Sequence, residues 1–289
     1  MTTEWLASRL AAPDVVVLHV GRSDSLYRRG HLPGARFLPL SAVATTVAGI
    51  PNEFPAPEQL AATFRDLGVG DETRIVIYGD DPGLYAARAW VALDLLGHGA
   101  SAALLDGGLT RWMAEGRPVE TTPRIGKARP FTSRWQADRT VSADWVRSHL
   151  GDTTVVFVDA RPFEQYSGAE PPCPPDRPAC PQLPAERRGH LPGARSLYWM
   201  GALVSSADPV LRPMHDLHEE LWKATGADGP GVQTIVTYCR TGMQASHAYF
   251  VARYLGYADV RIYDGSFIEW AGLQPAASYP VERGPRQQS

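Results

Sequence analysis

The stretch Gly30-His31-Leu32-Pro33-Gly34-Ala35-Arg36 occurs a second time, residue for residue, as Gly189-His190-Leu191-Pro192-Gly193-Ala194-Arg195. Seven identical residues in the same order are very unlikely to recur by chance in a chain of 289 residues. Self-similarity of this kind is the sequence signature of a duplicated structural unit. The chain is therefore predicted to contain two copies of one fold.

Matches on both sides of the heptapeptide extend the duplication over most of the chain. In order, they pair Trp5 with Trp145, Leu10 with Leu150, Ile75–Tyr78 with Ile235–Tyr238, Asp106-Gly107 with Asp264-Gly265, and Trp112 with Trp270. The offset grows from about 140 residues before the heptapeptide to about 159 after it, so we infer an insertion around residues 167–187 of the second copy. Because both copies have a tryptophan at this position, we interpret Trp112 and Trp270 as packing residues.

Each copy alternates short apolar strands with helices. In the second copy we predict helices at Ala143–Leu150 (capped by Ser142), His215–Ala224, Gly242–Gly256 and near Phe267, and strands at Thr154–Asp159, Thr234–Tyr238 and Val260–Tyr263. Almost wholly apolar strands suit a mainly parallel sheet with helices on both faces, and the alternation indicates an α/β fold.

The domain boundaries follow from the repeat and from the composition between its copies. We expect an N-terminal domain at residues 1–122, a Pro-, Arg- and Thr-rich linker at 123–140, a C-terminal domain at 141–283 and a tail at 284–289. We expect the chain to be frayed after Tyr279.

Composition excludes several classes of protein. Apolar residues make up 44% and charged residues 20% of the chain, and the formal net charge is -3. These values fit a globular protein and give no footprint of a nucleic-acid or membrane-surface binder. The apolar runs are too short to span a bilayer, and the N-terminus lacks a basic region followed by an apolar one. We therefore expect a cytoplasmic protein without nucleic-acid or membrane partners.

One loop carries candidate chemistry. Cys239 directly follows the predicted strand Thr234–Tyr238, and its loop leads into a helix. Ligands of open parallel sheets bind beyond the carboxyl ends of the strands, and such a turn points backbone N–H groups at an anion. We expect this nest to hold the pKa of the Cys239 thiol below its free value of about 8.5. Arg240 would add positive charge, and Gly242 would permit the tight turn.

The first copy differs at the equivalent turn, which reads Gly79-Asp80-Asp81-Pro82-Gly83. It offers two acids and no nucleophile. A lone cysteine at a strand end is usually a small packing residue. The contrast between the copies instead indicates that the second copy carries the chemistry and the first does not.

Together these motifs resemble the tandem-domain rhodaneses, a family of sulfurtransferases. The resemblance rests on both heptapeptides, the Asp159-Ala160-Arg161 strand end, the Cys239-Arg240-x-Gly loop and the segment Asp264–Trp270. It implies two rhodanese-like domains, the first of them non-catalytic. It also implies that Cys239 takes a sulfane sulfur from a small-molecule donor as a persulfide and passes it to cyanide, a thiol or a protein acceptor. The resemblance implies no metal and no organic cofactor.

The resemblance also assigns roles around the cysteine. Substrate binding is expected from the loop residues Arg240, Thr241, Gly242, Met243, Gln244 and Ala245. We expect Asp159 and Arg161 to brace this loop through a charge-assisted hydrogen bond. The family's substrate-binding arginine, four residues after the one that matches Arg161, corresponds to Gln165 here.

The sulfur donor stays open between two alternatives. An arginine directly after the cysteine resembles thiosulfate sulfurtransferases, whereas the 3-mercaptopyruvate branch typically has Cys-Gly-Ser-Gly-Val. Thr241 stands where vertebrate thiosulfate enzymes carry lysine, and Gln165 stands where the family carries its substrate-binding arginine, so two positive charges of the familiar thiosulfate clamp are missing. Either Arg240, Arg187 or Arg188 compensates, or the donor is not thiosulfate. Arg187 and Arg188 equally fit a solvated loop.

Other functions and other candidate residues also fit parts of the sequence. A cysteine phosphatase would carry an arginine six residues after the cysteine, where this chain has Ala245. A persulfide carrier with little turnover would keep Cys239 as well. Cys173 and Cys180, in the proline-rich insertion, fit two free thiols, a reversible disulfide or a pair of zinc ligands. His247 would tune the site or, more simply, pack or cap its helix.

Overall fold

The computed structural model describes residues 1–169, 183–226 and 233–284. The chain groups into two units. The first unit comprises Met1–Val47, Glu53–Ala137 and Ala202–Arg212. The second unit comprises Ala48–Asn52, Asp138–Gly201 and Pro213–Ser289.

The first half of the chain alternates strands and helices around a parallel sheet. The helices are α1 (Thr3–Ala7), α2 (Ser25–Arg29), α3 (Pro57–Asp66), α4 (Leu84–Leu95) and α5 (Gly108–Ala114). The strands are β1 (Val15–Gly21), β2 (Arg36–Pro39), β3 (Thr45–Val47), β4 (Ile50–Glu53), β5 (Arg74–Gly79) and β6 (Ala102–Leu104). The parallel sheet has the order β2-β1-β5-β6. Strands β3 and β4 pair separately as a hairpin.

The second half repeats this arrangement. Its helices are α6 (Ala143–Ser148), α7 (Phe163–Ser167), α8 (Met214–Thr225), α9 (Met243–Tyr254) and α10 (Ser266–Gly272). Its strands are β7 (Thr140–Val141), β8 (Val155–Asp159), β9 (Arg195–Ser196), β10 (Thr234–Tyr238) and β11 (Val260–Tyr263). They form a parallel sheet in the order β7-β11-β10-β8-β9. The prediction of parallel sheets flanked by helices is confirmed.

The predicted elements of the second copy are present with small changes at their ends. Strands β10 and β11 have the predicted bounds, whereas α6 ends two residues before the predicted Leu150. The Ser142 side chain accepts a hydrogen bond from the Trp145 N–H at 3.2 Å, as expected of a helix cap.

The strand register defines which positions of the two sheets are equivalent. Tyr78 of β5 pairs with His19 of β1, and Tyr238 of β10 pairs with Asp159 of β8. The residues that follow the two tyrosines are therefore equivalent, namely Gly79 and Cys239.

Each heptapeptide holds the carboxyl end of one strand in its own copy, β5 in the first half and β10 in the second. The Tyr78 hydroxyl accepts a hydrogen bond from the Leu32 N–H at 3.0 Å, and the Tyr238 hydroxyl accepts one from the Leu191 N–H at 3.1 Å. A buried hydroxyl with a fixed partner holds its ring in one place. The recurring motif thus fixes the residue that precedes Gly79 in one copy and Cys239 in the other.

The heptapeptides also bind the segment that closes each copy. His31 exchanges two backbone hydrogen bonds with Glu120, at 2.9 and 2.8 Å. His190 exchanges two with Glu282, at 2.9 and 3.0 Å. The expectation of a frayed chain after Tyr279 is therefore wrong for residues 280–284, because this pairing fixes them.

The two repeated tryptophans lie in the cores, which confirms the packing interpretation. Trp112 and Trp270 both have 0% of their surface exposed. Their indole N–H groups donate to the carbonyls of Pro118 at 2.7 Å and Pro280 at 2.9 Å. Each tryptophan thereby ties its final helix to the closing segment of its own copy.

Candidate active site

Cys239 lies in the turn between β10 and α9. Gly242 is the residue before α9 and has a φ of +84°, in the left-handed region that favours glycine. The Ser246 hydroxyl donates to the Gly242 carbonyl at 2.9 Å. The turn is thus held tight at the carboxyl edge of the sheet, where ligands of parallel sheets bind.

Backbone N–H groups converge on the Cys239 sulfur. The donors are the amides of Thr241, Gln244 and Ala245. The backbone of Cys239 is itself fixed: its N–H donates to the Ser266 hydroxyl at 3.3 Å, and its carbonyl accepts from the Phe267 N–H at 3.0 Å. The loop therefore forms an amide cradle with one sulfur at its centre, as the sequence predicted.

The predicted pKa of this thiol is wrong in direction. Cys239 is only 1% exposed, and burial raises the pKa of its thiol above the usual value. The three cradle amides act in the opposite direction, and the nearby charge of Asp159 raises the pKa further. Burial disfavours the charged form more than the amides favour it. Burial thus opposes the ionisation of a thiol whose neighbouring amides favour the anion.

Asp159 and Arg161 form the expected charge-assisted contact. The Arg161 Nε donates to Asp159 Oδ1 at 2.8 Å, and its Nη2 donates to Oδ2 at 2.5 Å. Both side chains are buried. Burial alone would lower the pKa of Arg161, but the Asp159 carboxylate outweighs it and the pKa is raised.

Arg161 also connects separate parts of the second unit. Its Nη2 donates to the Gly189 carbonyl at 2.6 Å, and its Cζ lies 4.2 Å from the centre of the Phe267 ring. Gly189 begins the heptapeptide, and Phe267 bonds to the Cys239 carbonyl. The ion pair therefore holds together the strand end, the heptapeptide and α10, all of which surround the cradle.

Gln165 and Arg240 meet beside the cradle. The Arg240 Nε donates to Gln165 Oε1 at 3.4 Å, so the residue at the family's arginine position orients the arginine of the loop.

Arg187 differs from the expected solvated loop. It is buried and donates to the carbonyls of Trp270, Ala271 and Tyr279, at 3.0, 3.0 and 2.9 Å. Its guanidinium therefore fixes the end of α10. Arg188 is half-buried and donates to the Leu183 carbonyl at 3.4 Å.

Sequence reasoning missed Asn52. This residue lies in the part of the β3–β4 hairpin that groups with the second unit. Its side-chain amide donates to the Thr241 hydroxyl at 3.0 Å. The two residues are 189 positions apart, and no periodicity or motif in the sequence signals their contact.

The equivalent cradle of the first unit contains its own anion. Asp81 Oδ1 accepts hydrogen bonds from the N–H groups of Gly83 and Tyr85, both at 3.1 Å, at the start of α4. Burial raises the pKa of Asp81 to about 6 despite these amides. A side chain at Gly79 would meet Tyr85 Cβ and the Val20 carbonyl, both at 3.2 Å. The first unit thus has no thiol at this position, and a side chain there would crowd its neighbours by a few tenths of an ångström.

His247 lies one turn into α9 and is buried. Its ring meets the Trp199 ring edge-on at 5.2 Å. Burial lowers the pKa of His247 to about 4, so the ring is neutral at pH 7. Among the described residues, its Nδ1 has no hydrogen-bond partner. The contacts are those of a packing residue.

The remaining candidates concern metals and membranes. Cys173 and Cys180 lie outside the described residues. Within residues 1–169, 183–226 and 233–284, no cluster of three or more His, Cys, Asp or Glu side chains is arranged to hold a metal ion. Over the same ranges, none of the helices combines the length and the hydropathy that crossing a membrane requires.

Comparison with known protein families gives one match that recurs. The model of the rhodanese-like domain matches residues 2–115 and again residues 142–273.

Curated relatives span nearly the whole chain. The sulfur carrier protein TtuD of Thermus thermophilus is 31% identical over 289 residues, which cover 98% of this chain and 96% of the relative. A thiosulfate sulfurtransferase of Azotobacter vinelandii is 32% identical, covering 96% and 94%. A probable 3-mercaptopyruvate sulfurtransferase of Pseudomonas aeruginosa is 30% identical, covering 93% and 94%.

A solved structure shows the same fold. The 3-mercaptopyruvate sulfotransferase SseA of Escherichia coli matches with a TM-score of 0.75 at 22% identity, covering 92% of this chain and 97% of its own.

Proposed function

The chain belongs to the rhodanese-like domain family, whose relatives here are sulfurtransferases and a sulfur carrier, and we propose that it moves a sulfane sulfur from thiosulfate to a thiophilic acceptor through a persulfide on Cys239. Cyanide, a small thiol or a protein thiol would serve as the acceptor. The observation that carries this proposal is the convergence of three backbone N–H groups on the Cys239 sulfur.

The first half-reaction loads the sulfur. The Cys239 sulfur attacks the outer sulfur of thiosulfate, a new S–S bond forms, and the bond to the sulfonate sulfur breaks. Sulfite leaves with the electron pair of that bond and takes up the thiol proton as bisulfite. The enzyme then holds Cys239-S-S⁻.

The second half-reaction unloads it. Cyanide attacks the outer sulfur of the persulfide, thiocyanate leaves, and the sulfur–sulfur bond electrons return to Cys239. The two steps form a double displacement through a covalent intermediate.

The cradle suits the intermediate better than the resting thiol. Burial raises the pKa of Cys239 and so offsets what the amides contribute to a resting thiolate. A persulfide anion formed by the reaction would receive hydrogen bonds from Thr241, Gln244 and Ala245, as oxyanions do in preorganised sites. Neutral donors fixed by the fold cost no reorganisation at that moment.

Thiosulfate as the donor rests on Arg240. Its guanidinium is fixed by Gln165 next to the loop, which suits a small, doubly charged anion. The alternatives are 3-mercaptopyruvate as the donor, or a carrier that accepts persulfide sulfur and turns over slowly. We assign the chemistry to a domain at 141–283. We assign no chemistry to a domain at 1–122, where Gly79 stands at the position of Cys239, and we propose residues 123–140 as the linker between the two domains. Of the tail expected at 284–289, residues 285–289 lie outside the described residues.

The test combines intact mass with steady-state kinetics. Thiosulfate, 3-mercaptopyruvate and a thiosulfonate are each offered to the protein, and one added sulfur per chain is sought. Thiocyanate formation from each donor and cyanide is then measured. Cys239→Ser should abolish both signals while the unfolding curve stays unchanged.

The matched control is the double variant Cys173→Ser/Cys180→Ser, which removes two thiols and keeps Cys239. It should load sulfur like the wild type. Added sulfur on the Cys239→Ser protein would refute the assignment. Loading without thiocyanate turnover would identify a carrier, and loading by 3-mercaptopyruvate alone would replace the donor.

A further inference from the structure

The β3–β4 hairpin places one amide side chain at the loop that surrounds the candidate nucleophile. Asn52 Nδ2 donates to Thr241 Oγ1 at 3.0 Å, and the Thr241 N–H in turn donates to the Cys239 sulfur. We propose that Asn52 is a positioning residue that fixes the Thr241 hydroxyl as a hydrogen-bond donor to the oxyanion group of the sulfur donor. This inference rests on the proposed sulfur transfer and deepens it.

The backbone at this place is specialised. Asn52 has a φ of +65°, a conformation that asparagine tolerates better than most other non-glycine residues. It is also the only asparagine in the chain. Backbone held in a sparsely populated region persists when the surroundings fix it and often marks a functional contact.

The polarity of the contact decides what the hydroxyl does. An amide nitrogen only donates, so Thr241 Oγ1 accepts in this hydrogen bond and its own proton is directed elsewhere. A hydroxyl directed in this way, two positions after Cys239 in the chain, can donate to an anion. Hydrogen bonds to an ionised acceptor are stronger than those between neutral groups.

A second amide acts in parallel on the neighbouring side chain. Gln165 accepts from Arg240, and Asn52 donates to Thr241, so the first two residues after Cys239 are each held by one amide. Together they present a guanidinium and a hydroxyl proton. The fitting class of substrate carries a sulfonate or carboxylate next to the transferable sulfur.

The reaction separates this role from a structural one. The oxyanion group leaves with the first product, so the hydroxyl contributes to the loading of sulfur and not to its removal by cyanide. Loading is measured as the rate of persulfide formation from thiosulfate in a single turnover. Removal is measured as the rate of thiocyanate release when the preloaded protein meets cyanide.

The variants follow from the backbone. Asn52→Gly removes the amide and permits the positive φ. Asn52→Asp keeps the size but accepts the Thr241 proton, which turns that proton away from the donor. Thr241→Val removes the hydroxyl with little change of shape. Ala48→Gly is the matched control, because Ala48 lies in the same hairpin with a φ of +50° and carries no amide.

We expect Asn52→Gly to slow loading about tenfold, as for the loss of one hydrogen bond, and Asn52→Asp to slow it more. Ala48→Gly should load like the wild type. Asn52→Gly added to Thr241→Val should slow loading no further, because both act through one hydroxyl. Thiocyanate release should stay within about twofold of the wild type in Asn52→Gly and in Ala48→Gly.

Three results would overturn the inference: loading by Asn52→Gly equal to that of Ala48→Gly, effects of Asn52→Gly and Thr241→Val that multiply, or an equal slowing of loading and release. Each can be read only on a wild-type protein that forms the persulfide. A wild type that forms none refutes the proposed function instead, so the two failures are distinguishable.

Discussion

Asp159 and Arg161 present opposite charges to one buried thiol. Removing the carboxylate and removing the guanidinium should therefore move the pKa of Cys239 in opposite directions. The Asp159 charge raises the pKa of Cys239, and Arg161 interacts with the same sulfur. Asp159→Asn leaves the guanidinium unbalanced and should lower the pKa of the thiol. Arg161→Met leaves the carboxylate unbalanced and should raise it. One pKa unit in each direction, about 1.4 kcal/mol, is the expected scale.

Both variants should also destabilise the fold. The pair is buried, with 1% and 0% of the two side chains exposed, and Arg161 makes a further hydrogen bond to Gly189. Removing one partner of a buried ion pair leaves an uncompensated charge and costs about 3–5 kcal/mol. The pKa is measured from the pH dependence of the rate of alkylation by iodoacetamide. The stability is measured from urea unfolding at pH 7.

The second unit contains a matched control for burial. Asp259 and Arg261 have the same spacing, and Arg261 also donates through Nε and Nη2, at 2.8 and 3.0 Å. Asp259 is 43% exposed, however, so Asp259→Asn should cost less than about 1 kcal/mol. If Asp159→Asn and Arg161→Met shift the pKa of the Cys239 thiol in the same direction, the electrostatic reasoning is refuted. An equal loss of stability in Asp159→Asn and Asp259→Asn would show that burial is not what matters.

Three further changes test the cradles and the buried titratable groups. The folded state holds the pKa of Asp81 near 6, above its unfolded value, so the free energy of unfolding falls as pH rises from about 4 to 6. Asp81→Asn should remove up to about 3 kcal/mol of that fall, measured by urea unfolding at each pH, and an unchanged pH profile would contradict this prediction. The folded state holds the pKa of His247 near 4, below its unfolded value, so stability is lost as pH falls from about 6.5 to 4. In thermal unfolding scans His247→Gln should lose less stability over this pH range, whereas a loss as steep as in the wild type would contradict a buried neutral His247. Gly79→Cys in a Cys239→Ser background should form no persulfide by intact mass, because Tyr85 crowds the position and Asp81 occupies the amides; sulfur added there would show that the first cradle is usable.

The repeat made the fold predictable, because a duplicated pattern fixes the elements of one copy against those of the other. Strand β10 and the turn after it were located from the sequence, and the structure has them where the apolar run ends. The extent to which Cys239 is buried was not predictable from the sequence. A sequence pattern shows that Cys239 follows a strand, but not that the chain around it leaves 1% of the residue exposed. The sign of its pKa shift depends on that depth.

Long-range polar contacts were equally hidden. Arg187 looked like a loop cation because its neighbours in sequence are polar, yet its carbonyl partners lie 83 to 92 residues away. The Asn52–Thr241 contact joins residues still farther apart. Such partners are set by the packing of whole elements, and local patterns carry no information about them.

The two cradles, compared directly, indicate what the amides of the second one do. Three backbone N–H groups lower the pKa of the Asp81 carboxyl in the first unit, and three lower that of the Cys239 thiol in the second. Burial raises both pKa values more than the amides lower them. In both units burial therefore opposes the ionisation of the resting group, and the amides offset only part of that cost. The cradle amides gain most when chemistry delivers an anion, which a carboxylate fixed in place prevents in the first unit and an exchangeable sulfur permits in the second.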